Sequence, residues 1–460
     1  MLSAKTIIRL TTLLVLVGFL TPSQAQINSP FSRYGLGNEV LNNQNASSQG
    51  LGGFSTAYTS IMNGSFGQSV NFNNPASYSS LYMTTFDIGM NLNQTTLIRK
   101  NPTGQEKSTY LVPNYLAVGL PISKARKIGM AFGLQPLTSI HYSVNEIVRL
   151  SSGDTVINNY KGDGGLNQVF IGVGKAWKYL SVGFNTGYNF GRKDIETVKS
   201  ILYNPDSSYF YQSKSSSNTN FGGAFLKLAV LGEFPIYKTA KPGTKESTEY
   251  NISYGATYSL DQSFKAKQDI TRTIGSYTAT TEVPVDTALS TVNNAGTINI
   301  PAVISAGIAL HKKQTVARGA YDQWVIGVEM NQAAWKDSYR FYGKQDPLSN
   351  SWMIRGGIQY NPDPYAYENY WSTVIFRAGF FAGKDYVNID NNGLKTTGIT
   401  LGLGLPVRKY RSYDYQFTIL NLALQLGQRG TSVNNFRESF MQFTVGYSLS
   451  DVWFNKRKYD

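Results

Sequence analysis

The stretch Leu180–Gly191, with the sequence LSVGFNTGYNFG, decides the fold of this chain. Large apolar side chains alternate in it with serine, glycine and asparagine, and Thr186 is the single polar interruption of the apolar face. Because successive residues of a β-strand point to opposite faces, the stretch predicts a strand with one apolar face and one face of small polar residues. A chain built from many such strands must bury each apolar face, and a lipid bilayer is the environment that fits best.

The same alternation recurs along most of the chain, in segments about as long as a tilted strand needs to be to cross a bilayer. A soluble β-sandwich would also alternate, but its outer face would carry lysine, glutamate and arginine rather than glycine, serine, asparagine and threonine. The sequence therefore predicts an all-β fold, a transmembrane antiparallel β-barrel. The clearest further segments are 250–259, 304–311, 324–331, 399–405 and 441–449.

The number of strands follows from counting these segments. We find about 15 candidates, and because bacterial single-chain barrels have even strand numbers, we predict about 14 strands. Short polar turns, such as those at 124–127 and 175–178, alternate with longer excursions, as expected for short periplasmic turns and long extracellular loops. The predicted long excursions lie near 143–163, 191–218, 279–298 and 384–396.

The N-terminus has the three parts of a secretory signal. Lys5 and Arg9 precede the apolar run Leu10–Leu20, which is too short for a membrane-spanning helix, and Ser23-Gln24-Ala25 fits a cleavage site. We therefore predict an exported protein of the Gram-negative outer membrane. Its predicted parts are a cleaved signal peptide at 1–25, an irregular Gly-, Asn- and Ser-rich segment at 26–80, the barrel at 81–450 and a basic tail at 451–460.

Composition excludes several other kinds of protein. The net charge is +14, but the basic residues are spread along the chain, so we predict contact with lipid headgroups of the bilayer and no nucleic-acid partner. The absence of cysteine excludes a lipid-modified N-terminus, thiolate metal sites and disulfides. No cluster of residues has metal-ligand spacing, and we predict neither a metal nor a cofactor.

Ionisable residues on inward faces are the candidates for a site in the lumen. The chain has two histidines, in well-separated predicted strands, so we predict no catalytic Ser-His-Asp arrangement and no enzyme. His311, Glu329, Arg355 and Arg377 fall on predicted inward faces. Because charges face lipid only at high cost, these residues should pair inside the barrel or line a water-filled path. Contact with a ligand carboxylate or with the N-terminal segment is the alternative.

The end of the N-terminal segment resembles the start of FadL-type outer-membrane proteins. A glycine-rich run containing Gly50, Gly52 and Gly53 is followed by Asn74-Pro75-Ala76 and then by the first predicted barrel strand. Arg377–Phe380 is similar to an Arg-x-Gly-aromatic strand of the same family. The resemblance covers most of the mature chain in its layout, although the last residues depart from the usual aromatic ending.

The resemblance implies a barrel of about 14 strands whose lumen is closed by an N-terminal hatch. It implies passive uptake of hydrophobic or amphipathic small molecules, such as long-chain fatty acids, that leave sideways through a gap in the wall. An alternative is a partner or shuttle subunit of an outer-membrane secretion or assembly complex, with an outer-membrane protein as its partner. A lipid-acting barrel enzyme is disfavoured by the histidine count. The hatch turns would lie at Gly50, Gly52, Gly53, Asn74, Pro75 and Ala76.

Overall fold

The structure is a computed structural model of the chain. Among the described residues, no helix is long and apolar enough to cross a membrane. The predicted signal peptide and most of the predicted basic tail lie outside the described residues. The structure describes residues 29–39, 45–59, 68–100, 103–151, 154–202, 211–240, 242–244, 246–277, 282–317, 319–366, 368–389, 392–407, 417–430, 436–451 and 453.

Strands account for most of the described chain, and the helices are short. The helices are three 3₁₀ helices (Pro30–Arg33, Pro75–Ser80, Tyr370–Thr373) and two α-helices (Ala46–Gln49, Trp335–Ser338). The strands are β1 (Asn38–Glu39), β2 (Thr84–Arg99), β3 (Gly104–Ser123), β4 (Ile128–Arg149), β5 (Thr155–Ala176), β6 (Leu180–Leu202), β7 (Gln212–Ala240), β8 (Ser247–Ser259), β9 (Gln262–Tyr277), β10 (Glu282–Ile300), β11 (Val303–Val316), β12 (Gly319–Ala333), β13 (Arg340–Phe341), β14 (Ser351–Tyr360), β15 (Ile375–Ile389), β16 (Asn392–Val407), β17 (Phe417–Arg429) and β18 (Phe436–Asp451).

Antiparallel pairing closes these strands into a barrel. The ring runs from β2 to β8, continues through β11, β12 and β14, and passes from β15 to β18, which pairs back onto β2. This confirms the predicted barrel of 14 strands. Strand β9 follows β8 directly and pairs with the other end of β7, so the β9–β10 hairpin extends the wall beyond the ring.

The apolar faces point outward, as the opening stretch predicts. In β6 the outward side chains are exposed, whereas Asn185 and Asn189 on the inner face are 3% and 1% exposed. The inner face is thus polar and covered, and the outer face forms an apolar belt around the barrel. The belt residues of β6 are Leu180, Val182, Phe184, Tyr188 and Phe190.

The four predicted long excursions are largely strand rather than loop, so the prediction of long loops was wrong. The hairpin of β4 and β5, for example, stays paired up to Arg149 and Thr155, and β6 stays paired with β7 up to Lys199 and Ser213. Beyond the bilayer a strand has no apolar face to bury, so its sequence loses the alternation while its backbone ladder continues. The result is a tall polar wall beyond the belt, built mainly from β4 to β7, β9 and β10.

The wall parts between β3 and β4. The last residue pair that joins them on this side is Leu116 with Leu134, although both strands continue well beyond it. Pro113 lies three residues before Leu116 and Pro136 two residues after Leu134, each beside a bulge in the pairing with the other neighbouring strand. Proline lacks the N–H that a strand ladder needs and is found at strand edges and bulges. The prolines therefore mark where the two strands separate.

The N-terminal segment lies inside the barrel. Almost all described residues between 45 and 59 and between 68 and 80 are buried, and their apolar side chains pack on the inner wall. Closer to the tall wall, β1 pairs with β4 at Thr138 and Ser139, on the edge that β3 leaves free. The segment therefore fills the lumen and covers the free edge of β4 from inside.

Candidate functional site: the contact between the N-terminal segment and the wall

A row of glycines forms part of the inner wall beneath the N-terminal segment. Gly327 pairs with Gly357, which pairs with Gly379, so three neighbouring strands lack a side chain at corresponding positions. The carbonyl oxygen of Leu51 lies 2.5 Å from where a Cβ of Gly357 would be, and the backbone nitrogen of Gly52 crowds the same place at Gly379. The main chain of the segment therefore lies directly on the backbone of the wall.

The three predicted hatch glycines form the turn that lies on this row. Gly52 and Gly53 have φ angles of +73° and +87°, a left-handed conformation that favours glycine. The Thr400 hydroxyl donates to the Gly50 carbonyl oxygen at 3.0 Å and accepts from the Gly52 amide at 2.8 Å. A Cβ on Gly50 would lie 2.9 Å from the Cα of Gly402. The glycines thus permit both the turn and its close approach to the wall.

Asn74, Pro75 and Ala76 begin a 3₁₀ helix that lies against another part of the wall. The Asn74 side chain accepts a hydrogen bond from the Ala76 amide at 3.0 Å and donates to the Thr56 carbonyl oxygen at 2.5 Å. It therefore caps the helix and joins the two parts of the segment. Proline suits the first helical position because the N–H there has no partner within the helix. The Pro75 carbonyl oxygen lies 2.5 Å from the Cβ position of Gly174.

Glu329 binds the main chain of the segment beside the glycine turn. Its Oε2 accepts hydrogen bonds from the amides of Ser55 at 2.8 Å and Thr56 at 2.7 Å, and the side chain is almost completely buried. Arg355, its cross-strand partner, donates to Asn331 at 3.0 Å and reaches Glu329 Oε1 at 3.5 Å. A carboxylate that accepts backbone amides and faces a guanidinium is well stabilised in a buried setting.

Arg377 lies beside the same turn. Its Nε donates to Gln359 Oε1 at 2.9 Å and its guanidinium to Asn421 at 3.1 Å, and both acceptors belong to the wall. The Tyr58 hydroxyl of the segment donates to the same Gln359 oxygen at 2.7 Å. Arg377 therefore positions the amide that binds the segment, and it is buried rather than exposed to a channel.

His311 belongs to a polar group that sequence reasoning missed. Its Nε2 lies 2.8 Å from the Ser253 hydroxyl, and its Nδ1 lies 3.7 Å from Asp322, so Ser, His and Asp do meet in the fold. The serine hydroxyl donates to the Ala57 carbonyl oxygen at 2.8 Å and is buried under the segment. The group therefore fastens the segment to the wall. The pairing of β11 with β8 on one side and with β12 on the other brings the three residues together, which no sequence spacing reveals.

We call residues 45–58 of the segment, with the wall groups that hold them, the lower contact region. All four predicted lumen residues, His311, Glu329, Arg355 and Arg377, lie in it, and so do the three hatch glycines. In this region Arg355 and Arg377 bind wall groups, and Glu329 binds the N-terminal segment directly.

Residues 29–39 form a second contact, the upper contact region, along the free edge of β4. The Ser29 amide donates to the His141 carbonyl oxygen at 3.1 Å, and the His141 amide donates to the Ser32 hydroxyl at 3.2 Å. The Thr138 hydroxyl donates to the Leu36 carbonyl oxygen at 2.6 Å. These bonds take the place of the ladder that β3 would otherwise make with β4.

Charged side chains complete the upper contact region. Lys193 is buried and its Nζ donates to the Gly35 carbonyl oxygen at 2.6 Å. The Ser29 hydroxyl donates to Glu438, whose carboxylate lies 3.9 Å from Arg429. Buried charges of this kind are stable only with such partners.

An apolar cluster lies next to the upper contact region, inside the tall wall. It combines side chains of the N-terminal segment with side chains of several barrel strands and of the segment between β12 and β14. Residues 29–39 therefore contact both this cluster and the free edge of β4 at the parting. The N-terminal segment contributes Phe31 and Leu36 to the cluster, and the cluster's other buried aromatic residues are Phe221, Phe264, Trp335, Tyr339 and Tyr386.

Comparison with known proteins agrees with this geometry. The family model described as BamG matches residues 4–460. The chain belongs to the BamG family. This family label differs from the FadL label that the sequence resemblance suggested. No curated protein sequence matches the chain significantly.

Solved structures of low sequence identity share its fold. The toluene transporter TbuX of Ralstonia pickettii is 12% identical, with a TM-score of 0.53 over 90% of this chain and 99% of that chain. A FadL homologue of Pseudomonas aeruginosa is 10% identical, with a TM-score of 0.52 over 88% of this chain and 98% of that chain. At such identities the likeness shows the fold alone. This BamG-family chain is thus an outer-membrane type of barrel with a FadL-like architecture.

Proposed function

We propose that the protein is an outer-membrane channel for passive uptake of hydrophobic small molecules. One observation carries the proposal: the wall parts between β3 and β4, and a segment of the same chain, rather than a wall strand, occupies the free edge. A non-covalently held segment can leave that edge without breaking the barrel. The similarity in fold to the toluene transporter TbuX and to a FadL homologue supports the same class of function.

The proposed path follows the chemistry of the surfaces. An apolar ligand enters the cluster around Phe31 and Leu36, displaces residues 29–39 from β4, and leaves sideways past Pro113 and Pro136. The parting begins at Leu116 and Leu134, two exposed apolar residues at the upper edge of the belt, so the ligand passes from the cluster to the lipid with little exposure to water. No energy source is needed beyond the ligand gradient. Long-chain fatty acids are the ligand class that we propose to test first.

A disulfide lock tests this proposal. Asn38 and Ser139 are directly opposed across β1 and β4, which is a suitable geometry for a disulfide, and the chain has no other cysteine. In the variant N38C/S139C, uptake of a long-chain fatty acid and of toluene by proteoliposomes should fall to background on oxidation and return on reduction. The control is T96C/K107C, which joins two neighbouring wall strands, β2 and β3, and does not tether the N-terminal segment. Equal uptake by the oxidised and reduced forms of N38C/S139C would contradict the proposal.

A second candidate function, as a partner subunit of an outer-membrane complex, has an observation of its own. Within the described chain, no strand pairs with the outer edge of β10 between Glu282 and Gly296, and Val283, Val285 and Val292 are more than half exposed. An unpaired strand edge with apolar side chains can add a strand from another protein. The lumen filled by the N-terminal segment also fits this role.

Purification in mild detergent followed by native mass spectrometry separates the two functions. Bound fatty acid supports uptake, and a co-purified protein supports the partner role if V285K/V292K abolishes its binding. The matched control is I147K, which places lysine at an exposed apolar position at the end of β4. Loss of the protein from the control as well would count against the β10 edge.

A further inference from the structure

A groove on the outer surface of the barrel is not used by either proposed function. It has a volume of about 990 Å³ and crosses β5, β6, β7, β9 and β10 at the point where the tall wall begins. Small residues form its floor. The ring of Tyr188 lies 2.9 Å from the position that a Cβ of Gly222 would take, so this glycine lies directly under the ring. The groove is therefore a depression in the sheet surface.

Strand pairing sets which side chains rise from this floor. Lys265 lies opposite Gly222, which lies opposite Phe190. Two pairs further along the strands, and so on the same face, Lys267 lies opposite Asn220, and Asn220 lies opposite Arg192. Directly opposed residues share a face of the sheet, so the three cations and the aromatic ring all point outward on the same side.

The two lysines differ from the arginine in their partners. Arg192 is bound by Asp163 at 2.5 Å and by Asp194 at 3.5 Å, so its charge is already neutralised. Lys265 and Lys267 are exposed, and within the described residues no carboxylate forms an ion pair with either of them. Asp269, two residues beyond Lys267 on the same face, accepts a hydrogen bond from the Asn293 amide, and adjacent lysines without an ion-pair partner favour an external anion.

The groove lies between the apolar belt and the charged wall, and this position indicates which kind of anion it can bind. Tyr188 and Phe190 are the last apolar belt residues of β6, and Arg192 is the first charged residue beyond them on the same face. A molecule that reaches both the belt and the lysines needs an apolar tail next to an anionic head. A lipid of the surrounding leaflet has this form and is already held at the correct height.

We propose that this groove binds the phosphorylated headgroup of an anionic membrane lipid. Lys265 and Lys267 bind the phosphate oxygens, and the acyl chains lie on Tyr188, Phe190 and the neighbouring belt. Arg192 is already paired with Asp163 and Asp194, so the two lysines provide most of the attraction for the phosphate. The site is independent of the N-terminal segment and of the parting between β3 and β4.

Native mass spectrometry of the full-length protein in detergent tests the site. The probe is lipid A with two phosphates, compared with a phosphate-free glycolipid and with inorganic phosphate alone. We expect the wild type to retain lipid A, and K265Q/K267Q to bind it roughly 10- to 30-fold more weakly, since each surface lysine contributes about a tenfold factor or less. The control K107Q/K395Q removes two exposed lysines from the same end of the barrel and should bind like the wild type.

Three results would overturn the proposal. One is equal binding of lipid A by K265Q/K267Q and by the wild type, and another is equal binding of the phosphate-free glycolipid. The third is binding of inorganic phosphate alone as tightly as lipid A, which would show a phosphate site rather than a lipid site. The charge-reversed variant K265E/K267E should bind more weakly still, and thermal unfolding of each variant checks that the barrel is intact.

Discussion

The lower and upper contact regions hold the same segment by different means. In the lower region, backbone lies on backbone over the glycine row, and Glu329 binds two amides that have no other acceptor. In the upper region, residues 29–39 lie along a strand edge, where the β1–β4 pairing, hydrogen bonds from Thr138 and Lys193 and the packing of Phe31 and Leu36 in the apolar cluster hold them. The first contact requires a complete fit of the closed wall, whereas the second lies on an edge that no wall strand occupies and can separate without opening the ring. We therefore expect the lower region to be a fixed part of the fold and the upper region to be the gate.

The largest effect is expected from filling the glycine row. The double variant G357A/G379A places methyl groups where Leu51 and Gly52 already lie, so the turn must leave the wall. Overpacking of this kind costs about 1–3 kcal/mol at each site. Thermal unfolding in detergent should occur at a lower temperature, and amide exchange of residues 50–58 should become faster. Gly104 has only the end of an arginine side chain near it, so G104A should change neither measurement.

Removing the carboxylate of Glu329 should have the next largest effect. The variant E329A leaves the amides of Ser55 and Thr56 buried without an acceptor, at a cost of about 2–3 kcal/mol. Exchange of these two amides should become faster, whereas E329Q, which keeps an acceptor oxygen, should restore part of their protection. Unchanged exchange in E329A would show that the carboxylate does not hold the turn.

The barrel could be predicted from the sequence because its signal is periodic. Alternation over Leu180–Gly191 fixes which side chains face lipid, and the same period recurs wherever a strand crosses the bilayer. The tall wall could not be predicted, because its strands have no apolar face and therefore no period that distinguishes them from loops. The inward charges were found by the same alternation, which correctly placed Glu329 and Arg355 on one face.

What the inward residues contact depends on packing, which the sequence does not encode locally. The meeting of Ser253, His311 and Asp322 requires the pairing of three strands, and the separation of β3 from β4 depends on two prolines in different strands. Pro113 and Pro136 were available as a signal, since proline inside a strand indicates an edge. The fit of Gly357 to Leu51 has no counterpart in spacing and is visible only in the fold.

A smaller effect, confined to the upper region, is expected from Lys193. The variant K193M removes the charged donor to the Gly35 carbonyl and should make opening of residues 29–39 easier by about 1–2 kcal/mol. Arg33 is the single lysine or arginine between residues 26 and 80, and it is exposed, so trypsin cleavage after it measures this opening. We expect cleavage to be roughly tenfold faster. The exposed lysine at the end of β6 provides the control, K199M, and equal cleavage of both variants would contradict the upper region as the gate.

The smallest effect should come from Asp163, which acts on the upper region through His141. Burial alone raises the pKa of Asp163, but hydrogen bonds from His141 and Arg192 outweigh it, so the pKa lies below its usual value. A lowered pKa stabilises the folded state above the unfolded pKa of about 4, and this contribution is lost as the pH falls through the folded value.

Because Asp163 is about half exposed, D163N should cost less than about 1 kcal/mol at neutral pH and nothing well below pH ~4. His141 carries the β4 edge that binds Ser29 and Ser32, so the loss should appear as slightly faster trypsin cleavage after Arg33 at pH 7. The lower region shares no contact with Asp163, and amide exchange of Ser55 and Thr56 should be the same in D163N and the wild type. An effect on both regions would show that the segment moves as one unit, and the distinction between a fixed part and a gate would then fail.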